Sequence, residues 1–107
     1  MTNEYGVKLD SNGYAPSVID LFESNKCFLC WCGGDLVRHE VFHGPNRAKS
    51  KALGCWIRLC PTCHSIVHSE GRWDRHLKRV GQRAAMNHYN WTTNDFRSRF
   101  GRNYLEE

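Results

Sequence analysis

The sequence predicts a small α+β domain, and three observations predict it. The chain is short, 107 residues of which 40% are hydrophobic, so it makes one domain with a modest core of its own. Two Cys-x-x-Cys pairs, Cys27/Cys30 and Cys60/Cys63, each adjoin a stretch rich in β-formers. The C-terminal third instead carries apolar residues at helical spacing on an otherwise basic background.

Taken in order, residues 1–16 contain two glycines and no periodicity and read as a loose polar leader to a single domain over 17–107. Ser17 is placed to cap a short helix through Val18, Leu21 and Phe22. The first Cys-x-x-Cys, a Gly33-Gly34 turn and the alternating stretch Asp35–Phe42 suggest a knuckle followed by a strand. His43-Gly44-Pro45-Asn46 breaks that strand, and the polar residues up to Gly54 form a loop or one helical turn. Cys55–Leu59 is a second short strand that leads into the second Cys-x-x-Cys, and a helix follows from Thr62 to about His68 before Gly71 interrupts it. These pieces make a core over about 27–70.

A helical extension over about 73–104 completes the domain. Its longer helix, 73–89, gathers Trp73, Leu77, Val80, Ala84, Ala85 and His88 on one side; Gly81 weakens it by about 1 kcal/mol relative to alanine. Thr93 or Asn94 caps a last helix through Asp95–Phe100, which Gly101 ends. Trp31 and Trp56 read as core or near-core residues.

Six cysteines suit disulfides in a secreted protein, but the N-terminal residues lack the basic start and apolar stretch of a signal peptide. No apolar run approaches the roughly 18 residues of a membrane span. An intracellular, cytoplasmic location is therefore expected, and a reducing compartment favours metal-bound thiolates. Cys27, Cys30, Cys60 and Cys63, the pairs separated by 29 residues, match a structural zinc site, because each two-residue spacer lets both sulfurs converge on one ion. A redox role is disfavoured, since no βαβ context surrounds either pair. Cys32 and Cys55 read as small buried thiols.

His64 and His68 stand one helical turn apart, and His39 lies in the strand that follows the first knuckle. Three imidazoles converging from a strand and a helix suit a second divalent ion with open coordination positions; imidazole does not choose among magnesium, manganese, nickel and zinc. Charge is segregated as well. Residues 38–102 hold thirteen Lys and Arg against four acids, whereas the first 26 residues hold four acids against two lysines. A polyanion such as DNA is the partner such a surface suits, a plain solvated face being the alternative.

The stretch Cys27–His68, 42 of the 107 residues, resembles the HNH, or ββα-metal, endonucleases, and in particular small phage-encoded members braced by a zinc knuckle. The likeness is carried by LVRHEVFHGPNRAKSKALGCWIRLCPTCHSIVH. It implies a zinc-stabilised ββα-metal domain, with His39, His64 and His68 holding one catalytic divalent ion beside a scissile DNA phosphate. The position after the strand ligand, a general-base histidine in the family, is Glu40 here, so the base is open among Glu40, His39 and His43. Asn46 is the sole asparagine between His39 and His64 that could orient the loop or touch the phosphate. Arg47, Lys49, Lys51 and Arg72 flank the site in sequence and suit flanking phosphates. The implied activity is DNA cleavage or nicking in a host cytoplasm, with a homodimer as one way to cut both strands; a zinc-stabilised DNA-binding or recombination-accessory module that does not cut is the alternative.

Overall fold

The two short β-forming stretches pair as an antiparallel hairpin, β1 (Val37–Glu40) with β2 (Trp56–Leu59), setting Arg38 opposite Arg58, His39 opposite Ile57 and Glu40 opposite Trp56. The computed structural model describes residues 1–21 and 25–106. Among these residues the fold is a small α+β arrangement of one two-stranded sheet and four helices. β1 is shorter than the expected 35–42, and a serine accounts for its early end. Val41 N still donates to Cys55 O, but Cys55 N turns to the Ser50 carbonyl at 2.7 Å, and the buried Ser50 hydroxyl accepts from Phe42 N at 3.1 Å while donating to Cys55 O at 2.6 Å.

Ser50 comes from α1 (Arg47–Ala52), a six-residue helix where a loop or one helical turn was expected before Gly54. Gly54 itself has φ +74°, and a Cβ there would lie 2.3 Å from the Pro16 carbonyl oxygen. A left-handed backbone against a carbonyl leaves room only for glycine. Gly54→Ala is therefore expected to cost at least about 2 kcal/mol and to lower the melting temperature by roughly 8 °C or more in thermal denaturation.

α2 (Pro61–Ser69) follows β2 directly, with proline in its first turn. The break after it falls at Glu70 (φ −120°, ψ 104°), and Gly71 opens α3 (Gly71–Tyr89) instead of interrupting a helix. α3 runs unbroken through Gly81, where a Cβ would come within 3.0 Å of Val41 and 3.3 Å of Phe42; the glycine that weakens the helix also lets it lie against the hairpin. Gln82, not the exposed His88, joins the buried side, accepting from Tyr104 N and donating to Asn103, both at 2.8 Å. α4 (Thr93–Phe100) is capped by Thr92, one residue earlier than expected, because Thr92 and Asp95 exchange side-chain and backbone hydrogen bonds. Gly101 ends it at φ +79°.

Phe42, Phe96, Phe100 and Tyr104 form an aromatic core that joins the hairpin to α4. Trp56 is buried, but Trp31, expected near the core, has φ +63° and is 57% exposed. Among the described residues Ser17 caps no helix; its hydroxyl accepts from Asp20 N and donates to Trp56 O, and the expected helix beyond Leu21 lies outside the described residues. The expected loose leader is tied down throughout. Ala15 N donates to Lys51 O, Asn3 to Ala52 O, and Glu4 holds Arg99 in a two-pronged pair. No described helix is long and apolar enough to cross a membrane.

Candidate metal centres

The first knuckle is a turn closed by Trp31 N on Cys27 O, and it is fastened to β2 by Phe28 N donating to Arg58 O at 2.7 Å. The second knuckle caps α2: the Cys60 sulfur accepts from Cys63 N at 3.4 Å, at the positive end of the helix. Anchored in this way, the sulfurs of Cys27, Cys30, Cys60 and Cys63 all lie within 4.8 Å of one another. Cys30 and Cys60 are 3.8 Å apart, which is the edge of a tetrahedron with zinc–sulfur bonds of about 2.3 Å and far beyond a disulfide. The backbone amide of Cys63 pulls the Cys60 thiol down to about 6, and amide donors also hold Cys27 below the usual thiol value against the effect of burial. Burial and the neighbouring sulfurs push Cys63 up. The Cys60 thiolate thus forms readily, and a cation would draw the proton from the others. The cluster can hold a structural metal such as zinc.

Cys55 is fully buried as expected, but Cys32 is exposed and sits beside the cluster; hydrogen bonds with the Cys30 and Cys60 sulfurs push its thiol up to about 12.

β1 brings its third residue, His39, against α2, where His64 and His68 occupy successive turns. The ring of His39 lies 5.4 Å from each of the other two, and the Nε2 atoms of His64 and His68 are 2.9 Å apart. The three ligand nitrogens fall within 4.8 Å of one another, a second group that can hold a metal ion. The deciding atom is His39 Nε2, which is buried and has no hydrogen-bond partner. A buried lone pair left unsatisfied is costly, and a cation would satisfy it. The spacing of the helix pair suits two imidazoles on one ion with bonds of about 2.1 Å.

Burial, reinforced by His64 and His68, lowers His39 to about 4. The ring is neutral at pH 7, as a ligand must be. Because an unfolded histidine takes up its proton near 6.5, the unfolded chain binds more protons between the two values. The stability that follows is complete above about pH 6.5 and is lost as pH falls toward 4. His39→Gln is expected to flatten this part of the pH dependence of the melting temperature, compared at equal zinc content.

The three histidines line a cavity of about 310 Å³ together with Arg38, Glu40, His43 and Arg47. Glu40 lies next to His39 in the strand but is held elsewhere, Arg47 Nε donating to its carboxylate at 2.7 Å. Burial raises the Glu40 carboxyl, but Arg47, its own amide and the Tyr14 hydroxyl outweigh burial and leave it below the usual carboxylate range. His43 also faces the site: its Nε2 meets Asp74 Oδ1 of α3 at 2.9 Å, and its ring is 6.3 Å from those of His39 and His68. Asp74 also pairs with Lys78 at 2.9 Å.

The remaining expected site residues disperse. Asn46 does not line the cavity; its amide donates to Phe100 O and joins α1 to the end of α4. Lys49 donates to Arg99 O, Lys51 lies 4.7 Å over the Tyr14 ring, and Arg72 pairs with Glu70. Asp74, Tyr14 and Arg38 escaped the sequence reading. An acid in the first turn of a helix is commonplace, so nothing local distinguished Asp74. Comparison with protein-family models, curated proteins and solved structures yields no match.

Proposed function

We propose that the chain is a metal-dependent DNA endonuclease or nickase of the HNH, or ββα-metal, type, with a zinc-bound Cys27/Cys30/Cys60/Cys63 site bracing the catalytic one. The observation that carries this reading is the orphaned, buried His39 Nε2 facing His64 and His68 beside the His43–Asp74 pair. The order of strand ligand, second strand and helix ligands further supports it. A divalent ion held by His39, His64 and His68 would act as a Lewis acid and template for a phosphodiester. His43 is the base: with Nε2–H donated to Asp74, the lone pair on Nδ1 is available to take a proton from the attacking water. Arg38 brings positive charge to the cavity, where the phosphate oxygens would lie.

Asp74 is a positioning residue in this scheme. Asp74→Asn is expected to slow nicking about 10- to 100-fold with zinc content unchanged, measured from initial rates on supercoiled plasmid.

A second reading, a DNA-binding module without cleavage, draws on Glu40, which stands where the family carries its base and is neutralised by Arg47. The purified chain incubated with supercoiled plasmid and Mg²⁺, Mn²⁺ or Ni²⁺ separates the two. Open circles or linear product support the nuclease; retarded plasmid left intact in all three metals eliminates it.

A further inference from the structure

Arg38 borders several cavities, two of which matter here. On one side it reaches the histidine pocket; on the other it walls a larger cleft of about 420 Å³, lined also by Lys8, Asp10, Tyr14, Trp56 and Arg58. The leader, which packs along the hairpin, supplies Lys8, Asp10 and Tyr14. Within the cleft cations and rings are interleaved. The Arg38 guanidinium lies 4.3 Å over Tyr14 and 5.0 Å over Trp56, and that of Arg58 lies 4.9 Å over Trp56. Trp56 is itself held by its Nε1–H donating to Ala15 O at 2.7 Å, so the floor is fixed in place.

The hairpin register makes this arrangement unusual. Arg38 and Arg58 are directly opposed across the two strands, and like charges so placed destabilise a sheet. Asp10 relieves Arg38 with an exposed contact at 2.8 Å, and Asp20 reaches the Arg58 guanidinium only at 3.6 Å. An exposed pair such as Arg38–Asp10 is weak and screened by salt, so a phosphate can compete for the guanidinium. Arginine planes laid on aromatic rings are also surfaces on which unpaired bases stack.

We propose that this cleft binds an unpaired nucleotide adjoining the scissile phosphate, so that the substrate is DNA with a single-stranded segment, such as a flap, overhang or branch, and not continuous duplex. Arg38 spans the phosphate between the two cavities, Arg58 and Lys8 hold the next, and the base stacks over the arginine–aromatic floor. The inference rests on the reading of the chain as one that acts on DNA.

The test is binding without added divalent cation, so that cleavage plays no part. Anisotropy of a labelled ten-nucleotide oligothymidylate and of a blunt duplex of the same length is followed with the zinc-loaded 107-residue chain and its Lys8→Gln/Arg58→Gln variant. The variant should bind the single strand at least about tenfold more weakly and the duplex less than about threefold more weakly, with an unchanged melting temperature. Lys8→Gln, remote from the core, should weaken the single strand about threefold and provides the same reading if the double variant is unstable. Equal losses on both DNAs, or no loss on the single strand, overturn the cleft. Arginine-dependent single-strand binding in a chain that nicks nothing retains the cleft and removes the nuclease; nicking without that preference does the reverse.

Discussion

Replacing Cys27 or Cys63 by serine should abolish the bound zinc and unfold the chain. A zinc site of four thiolates contributes about 10–16 kcal/mol of apparent binding free energy at neutral pH, as much as or more than the roughly 5–15 kcal/mol that separates folded from unfolded states of a whole domain. A bound ion would add that energy to what otherwise joins the knuckles: Phe28 N on Arg58 O and the packing of Cys27, Phe28 and Leu29 on the core for the first, and the cap of α2 for the second. Without the ion, four sulfurs would crowd within 4.8 Å, with amide donors to Cys60 and Cys27 as partial relief. Cys27 and Cys63 are the informative positions because Cys32 lies beside Cys30 and Cys60 and can stand in for Cys30. Metal analysis should return about one zinc per wild-type chain and near zero in either variant, with loss of near-ultraviolet circular dichroism and of cooperative melting. Cys32→Ser should retain both zinc and melting temperature. A zinc-free variant that still melts cooperatively near the wild-type temperature would refute the claim that this site holds the fold.

His64→Ala should leave that fold intact and reduce nicking by about three orders of magnitude or more. His64 is partly exposed on α2, so its truncation opens no internal cavity, and the thiolate cluster is gathered at the start of the helix. What is lost is one of three nitrogens that would hold the catalytic ion, and each 1.4 kcal/mol of lost transition-state stabilisation costs about a factor of ten. His39→Ala should be as damaging to cleavage and also alter stability, because it empties a buried position. Plasmid nicking measured alongside zinc content and melting temperature separates the two variants. Wild-type rates in His64→Ala would remove the three-histidine centre from the mechanism.

The parts of this molecule that could be read from the chain are those specified by neighbours in sequence. Two-residue spacing between cysteines, four-residue spacing between His64 and His68, and the β-forming residues around Val37–Glu40 each point to a geometry within one turn or one strand. The end of α4 at Gly101 followed from the same local rules. Errors arose where a local choice was settled from a distance. β1 stops early because Ser50 intervenes from α1, and Ser17 leaves its expected role as a helix cap to bind the Trp56 carbonyl. The leader carries no periodic signal because its order comes from hydrogen bonds to α1 and β2, which a scan along the sequence does not register.

The same division runs through the candidate site. His39, His64 and His68 could be named in advance, since a metal demands particular side chains at spacings the secondary structure fixes. Their neighbours could not. Glu40 is occupied by Arg47, Asn46 by Phe100, and His43 finds Asp74, thirty-one residues away. The sequence alone determined which atoms can bind metal, because ligand chemistry is a property of residue type and local spacing. Only the tertiary structure decided which of the remaining polar groups face the ligands, because that depends on which elements the core brings together.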